Sequence, residues 1–169
     1  MARAWEAEFT SFYVARAAAT RRTAYLLCGN WHEAEDLTQA AFVKLYQSWR
    51  RVRAETPNGY LRRIVLNEFL TRRRRVRRED PLSEVPDRAG PPGGDVEDRL
   101  SLLAALRGLP AQQRAVVVLR YWEGLSITQT AALLGIGEGT VKSQASRGVG
   151  ALRTAAAHLG PDHIVTDGS

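Results

Sequence analysis

The stretch LSITQTAALLGIGEGTVKSQASRGVGALR, residues 125–153, carries two helical periods separated by a glycine-bearing corner. At 100° per residue, Val141, Ala145, Gly148 and Leu152 share one side of the second helix. Gly139, Ser143, Ser146 and Arg147 fall opposite, with Thr140, Lys142 and Gln144 at the flanks. The outward set Thr140, Lys142, Ser143, Gln144, Ser146 and Arg147 is small, polar and basic. Such a face suits a DNA major groove. Short side chains let the backbone approach, Arg and Lys pair with guanine edges or phosphates, and Gln pairs with adenine. An αα-corner that only closes a small core has the same outline. A merely solvated face, however, more often carries Glu and Lys at helix-pairing spacing.

A second concentration of chemistry lies upstream. Residues 50–78 hold eleven arginines against Glu55 and Glu68, a local charge of +9, and RRRRVRR at 72–78 is its densest part. Residues 79–98 hold seven acids against Arg88, residues 1–49 are neutral, and 99–153 return to +5, within a chain of net charge +6. Basic blocks of this kind favour polyanions through counterion release. With 22 Arg and 2 Lys, genomic composition accounts for the choice of Arg over Lys better than for the clustering.

Catalytic and metal chemistry have little to build on. Cys28 is the one cysteine, and His32, His158 and His163 lack metal-ligand spacing, so neither a metal nor another cofactor is expected and no catalytic residue is assigned. The apolar run AVVVL (115–119) falls far short of the roughly 20 residues that span a bilayer. The N-terminal ARAWEAEFTSFY has no signal-peptide core. No membrane insertion and a cytoplasmic location are therefore expected.

The elements that must position these residues are helical throughout. At 169 residues, 44% apolar and 25% charged, the chain is long enough for one compact domain or two small ones. Phe9, Phe12, Tyr13, Ala17, Ala24 and Leu27 predict a first helix. Asn30 with Glu33 three residues later predicts the cap of a second, running from about Trp31 to Arg53 and burying Leu37, Ala41, Leu45 and Trp49. Pro57 opens a third, with Tyr60, Leu61, Ile64, Val65 and Phe69 as its apolar face. The stretch EDPLSEVPDRAGPPGGDVED is too poor in apolar residues and too rich in proline, glycine and acids to fold alone, and reads as a flexible linker. Its acids are expected to fold back over the arginine run. A second module then starts near Val96 with Leu100, Leu103, Ala104 and Leu106, pauses at Gly108 and Pro110, and resumes from Ala111 through Trp122. Strand is the weaker alternative for AVVVLRYW. Ser126 with Gln129 forms a capping-box pattern, and Gly135 suits a helix end.

The string LPAQQRAVVVLRYWEGLSITQTAALLGIGEGTVKSQASRGVGALR resembles the C-terminal promoter-reading module of bacterial RNA polymerase sigma factors. AEDLTQAAFVKLYQSW and NGYLRRIVLNEFLTRRRR resemble their second conserved region. The pairing resembles the extracytoplasmic-function (ECF, group 4) sigma factors, close to the SigE-like subfamily. The resemblance implies an all-α fold of two small helical domains joined by a flexible acidic linker: region 2 over 1–78, linker 79–96, a helix-turn-helix region 4 over 97–158, and a tail 159–169. It implies a non-enzymatic factor that binds core RNA polymerase and directs initiation at promoter DNA. Docking on the clamp helices of the largest subunit falls to Glu35, Asp36, Gln39 and Phe42, and the flap of the second largest subunit is a further contact. Contact with the −10 element falls to Asn58, Arg62, Arg63, Asn67, Thr71, Arg72, Arg73, Arg74 and Arg75, and with the −35 element to the outward set on the last helix. An anti-sigma factor is an implied partner. Three positions depart from the family's wording. Asn30-Trp31-His32 stands where a Gly-Asp pair is common, Gly137 where a serine cap is common, and Gln144 where arginine is frequent. A freestanding helix-turn-helix regulator is the competing reading, with a nucleic-acid-modifying enzyme well behind it.

Overall fold

The computed structural model describes residues 3–79 and 102–157, and every regular element among them is helical. The chain divides into two compact units, Met1–Pro81 and Leu82–Ser169. The linker, the helix start near Val96 with Leu100, and the tail lie outside the described residues.

The first unit is a three-helix bundle of α1 (Ala4–Cys28), α2 (Trp31–Val52) and α3 (Pro57–Glu79). Helix α2 starts where the local sequence dictates, because Asn30 Oδ1 accepts the Glu33 backbone N–H at 3.1 Å and so satisfies one of the orphan donors of the first turn. Leu37, Ala41, Leu45 and Trp49 are buried on α2, as its period predicts, and Leu61, Ile64, Val65 and Phe69 on α3. Leu66 joins them although it lies off that stripe, because α3 is covered by both α1 and α2. The aromatic residues of α1 close the bundle edge-on: Phe9, Phe12 and Tyr13 meet the Phe42 ring at 6.5, 6.5 and 4.8 Å between centroids. Ion pairs Arg21–Glu35 (3.2 Å) and Arg53–Glu8 (3.4 Å) tie the helix surfaces together; exposed pairs of this kind add little to stability.

The second unit contains α4 (residues 102–108), α5 (Ala111–Val117), α6 (Ile127–Leu134) and α7 (Glu138–Ala157). AVVVLRYW is helical, and α5 widens into a π-helical turn over Val118–Trp122 in which the Glu123 N–H reaches the Val118 carbonyl at 3.0 Å. The capping box at α6 is complete: Ser126 Oγ accepts the Gln129 N–H at 3.0 Å, and Gln129 Oε1 accepts the Ser126 N–H at 2.9 Å. Gly135 ends α6 at φ 65°, in the left-handed region, and turns the chain into α7. Val116, Ala131, Val141 and Ala145 form the core under this turn, with Ile127, Leu134 and Ile136 packed against it.

Gly148 sets how closely α7 approaches α5. A Cβ there would meet Val117 Cγ2 at 2.6 Å, whereas one at Gly150 would meet nothing within 4 Å. Alanine gains about 1 kcal/mol of helix propensity over glycine, but overpacking costs about 1–3 kcal/mol. Gly150→Ala is therefore expected to raise the denaturation midpoint and Gly148→Ala to lower it. Equal shifts for the two variants in a urea titration would contradict the close approach.

Candidate nucleic-acid interface

Helix α7 is anchored by Val141, Ala145 and Gly148, which leaves Thr140, Lys142, Ser143, Ser146 and Arg147 exposed on the other side. Ser143 Oγ donates to the Thr140 carbonyl at 3.1 Å. Gln144 stands apart from this set. It is half-buried at the α5 side, where its Nε2 donates to Gln112 Oε1 at 3.4 Å. The outward face of α7 is thus narrower than expected, with its basic side chains at Lys142 and Arg147.

On α3 the expected residues divide by direction. Arg63, Asn67, Thr71 and Arg74 are exposed at three- and four-residue spacing and form one stripe, with Asn58 exposed at the helix start. Arg75 is exposed beside them, whereas Arg62 and Arg72 are half-buried, the latter 3.8 Å from Glu68. Arg73 is a brace. Its Nη2 donates to the Cys28 carbonyl at 3.1 Å and lies 3.9 Å from Glu33, and its guanidinium lies 5.6 Å from the Phe69 ring centroid. That arginine, expected to meet phosphate, ties α3 to the α1–α2 corner. In a run of like residues, the bundle determines which member turns inward.

Tyr60 departs from the apolar face on which its period places it. It is only half-buried at the start of α3; its hydroxyl accepts from Arg51 Nη2 at 3.1 Å and donates to Ser48 at 3.3 Å. The Ser48 hydroxyl and the Arg51 charge hold the phenol below its ordinary pKa. An aromatic ring with a cation 5.6 Å from its centroid therefore lines the loop between α2 and α3.

The docking set on α2 is partly rearranged. Asp36 and Gln39 are exposed, and Glu35 is held below the usual carboxylate range by hydrogen bonds from Gln39 first and Arg21 second. Phe42 is corrected outright: it is 3% exposed, enclosed by the α1 aromatics, and belongs to the core. The exposed stripe instead continues from Asp36 and Gln39 to Val43, 56% exposed, and Tyr46, 43% exposed. Seven-residue spacing from Asp36 was the signal for Val43, an apolar residue on a polar face.

Cys28 is buried, and its thiol, which donates to the Asn30 carbonyl at 3.3 Å, is pushed up by burial. It has none of the character of a nucleophile. Among the described residues no three potential metal ligands converge, and no helix is long and apolar enough to cross a membrane.

Residues 12–79 match the Sigma-70 region 2 family and residues 99–152 match Sigma-70, region 4. An RNA polymerase sigma-E factor of Streptomyces avermitilis is 37% identical over 152 residues, covering 86% of this chain and 83% of the relative. The chain belongs to the extracytoplasmic-function RNA polymerase sigma factors. This family consists of factors for promoter-specific transcription initiation. The SigE factor of Mycolicibacterium smegmatis is 43% identical over 141 residues, 78% of this chain, and the chain spans 55% of that longer relative. A solved sigma factor, RpoE of Bartonella quintana in complex with the anti-sigma factor NepR, aligns with a TM-score of 0.70 at 26% identity, covering 89% of this sigma factor and 97% of that chain. Two matched regions in the order of a sigma factor do not favour the freestanding regulator.

Proposed function

We propose that this sigma factor docks on core RNA polymerase through the outward face of α2, handles the −10 element with α3 and the loop before it, and reads the −35 element with α7. The carrying observation is the face of α7, small and basic outside and held by Val141 and Ala145 inside, within a matched region 4. The stripe of Arg63, Asn67, Thr71 and Arg74 supports a strand contact in which arginines meet phosphates and Asn67 offers both donor and acceptor to an unstacked base. Asn58 and Arg75 flank that stripe. Asp36, Gln39 and Val43, with Glu35 at the margin, form the surface for the clamp helices of the largest subunit. The exposed Tyr121 and Trp122 at the π-helical turn support a second contact, to the flap of the second largest subunit. We assign region 2 to 1–78, the linker to 79–96, region 4 to 97–158 and the tail to 159–169. The factor performs no chemistry of its own, acts in the cytoplasm, and has an anti-sigma factor as its regulatory partner.

Run-off transcription with purified core polymerase tests this reading: promoter-dependent transcripts that require the protein are expected, and their absence overturns it. Arg147→Ala and Ser143→Ala should weaken −35 binding selectively, because both side chains project away from the core. One bidentate base contact by Arg147 is worth about 1–3 kcal/mol of discrimination, or on the order of tenfold in relative binding. Unchanged promoter preference in both variants excludes α7 as the reading helix.

A further inference from the structure

At the entry of α7 the sequence is Ile136-Gly137-Glu138-Gly139-Thr140, so Glu138 is a long polar side chain set among small ones. A Cβ at Gly139 would meet nothing within 4 Å, and the nearest atom to one at Gly137 is Thr140 Oγ1 at 3.9 Å, so the backbone around Glu138 is open to close approach. Glu138 is exposed, yet its carboxylate does not swing freely. Thr128 Oγ1, in the first turn of α6, donates to Glu138 Oε1 at 2.8 Å. That bond joins the first residue of the second helix of the turn to the start of the first helix. In helix-turn-helix docking the N-terminal residues of the second helix contact base edges, while the first helix crosses the backbone. The Glu138 carboxylate is therefore held by Thr128 in a defined place at the exposed entry of α7.

We propose that Glu138 is a specificity-determining residue of region 4, reading cytosine through its exocyclic amino group, with Thr128 as its positioning residue; the proposal rests on α7 being the −35 reader. The base follows from chemistry. A carboxylate only accepts hydrogen bonds, and in the major groove cytosine presents the N4 amino donor without an adjacent acceptor. Adenine presents its N6 donor beside the N7 acceptor, which repels a carboxylate, and guanine and thymine present acceptors at O6 and O4. An acid in the first turn also favours the helix dipole, but that stabilisation acts on the helix itself and predicts no base preference.

The test uses the full chain bound to core polymerase, captured on a pool of duplexes randomised across the −35 segment and sequenced before and after capture. Wild type is expected to enrich cytosine at one position. Glu138→Gln, which exchanges an acceptor for an acceptor and a donor, should move that preference to adenine, by about tenfold in relative enrichment, and leave the other positions unchanged. Thr128→Val should flatten the same position alone, and Thr128→Ser should restore it. A Glu138→Gln profile identical to wild type, or a wild-type preference for guanine or thymine at every position that Glu138→Gln alters, overturns the assignment of Glu138. Flattening by Thr128→Val at all positions reduces Thr128 to a fold contact. A wild-type pool with no enriched base anywhere overturns the −35 reading itself, together with this inference.

Discussion

Asp36→Arg combined with Val43→Asp is expected to weaken association with core polymerase by about 30-fold or more while leaving the melting of the protein unchanged. The few hot-spot residues at the centre of an interface cost about 2 kcal/mol or more when altered, and about 1.4 kcal/mol corresponds to tenfold in affinity. The double variant reverses a charge and places another on the apolar part of the same stripe. Val43 is 56% exposed in the chain alone, and Asp36 is also exposed. Neither supports the bundle, so their folding cost stays within about 0.5 kcal/mol. Phe42→Ala provides the contrast. That ring is 3% exposed, and its removal is expected to cost about 3–5 kcal/mol of stability. The Phe42 variant would lose polymerase because region 2 loosens, whereas the surface variant would lose it with region 2 intact. Fluorescence anisotropy of labelled protein against core polymerase, paired with thermal melts, separates the two. Wild-type affinity in the surface variant would move the docking site off α2.

Arg114→Met is expected to destabilise region 4 by about 2–4 kcal/mol and to leave region 2 untouched. Arg114 is 5% exposed. Its Nε donates to the Leu106 carbonyl at 3.0 Å, and its Nη2 to the carbonyls of Arg107 at 2.7 Å and Leu109 at 3.0 Å. These are carbonyls at and just beyond the end of α4, where a helix has no acceptors' partners of its own. One guanidinium fork thus closes α4 and fixes it to α5. Methionine fills much of the volume but takes the guanidinium donors from the Arg107 and Leu109 carbonyls, while Leu106 keeps the Leu109 N–H at 3.2 Å; hydrogen bonds to a charged donor are worth about 1.5–3 kcal/mol apiece and are not additive. Small domains hold only about 0.05–0.15 kcal/mol per residue in total, so a loss of this size removes much of the stability of region 4. Hydrogen exchange should show faster amide exchange in α5 and α7, with protection in α2 and α3 as in wild type. Unchanged protection in α5 would show that the fork is dispensable. Arg114→Lys, which keeps the charge but not the fork, should fall between the two.

Much of the architecture is written in local sequence. The caps at Asn30 and Ser126, the left-handed glycine at 135, and the buried faces of α2 and α7 all depend on residues within one or two turns of each other. Hydrogen bonds at i to i+3 and side-chain periods of 3.6 need no knowledge of the partner helix, so the order, type and inward side of these helices follow from the chain alone. The resemblance to the sigma factors rests on the wording of the two motifs and their order in the chain, which is also local sequence.

Tertiary structure decided which residues at the margins of each face turn inward. Phe42 sits one position beside Ala41 on α2, and the α1 aromatics draw it into the core, which leaves Val43 to carry the exposed apolar surface. Arg73 is indistinguishable in sequence from Arg74, yet the α1–α2 corner offers it the Cys28 carbonyl and Glu33, while Arg74 stays on the outer stripe. Gln144 leaves the outward face of α7 because Gln112 of α5 lies within reach, and Glu138 becomes fixed only because Gly135 folds α6 back to bring Thr128 beside it. The physical reason is common to all four. A helical period assigns a direction to each side chain, but the width of the buried sector depends on how many neighbours cover the helix and at what crossing angle, and those neighbours come from distant sequence.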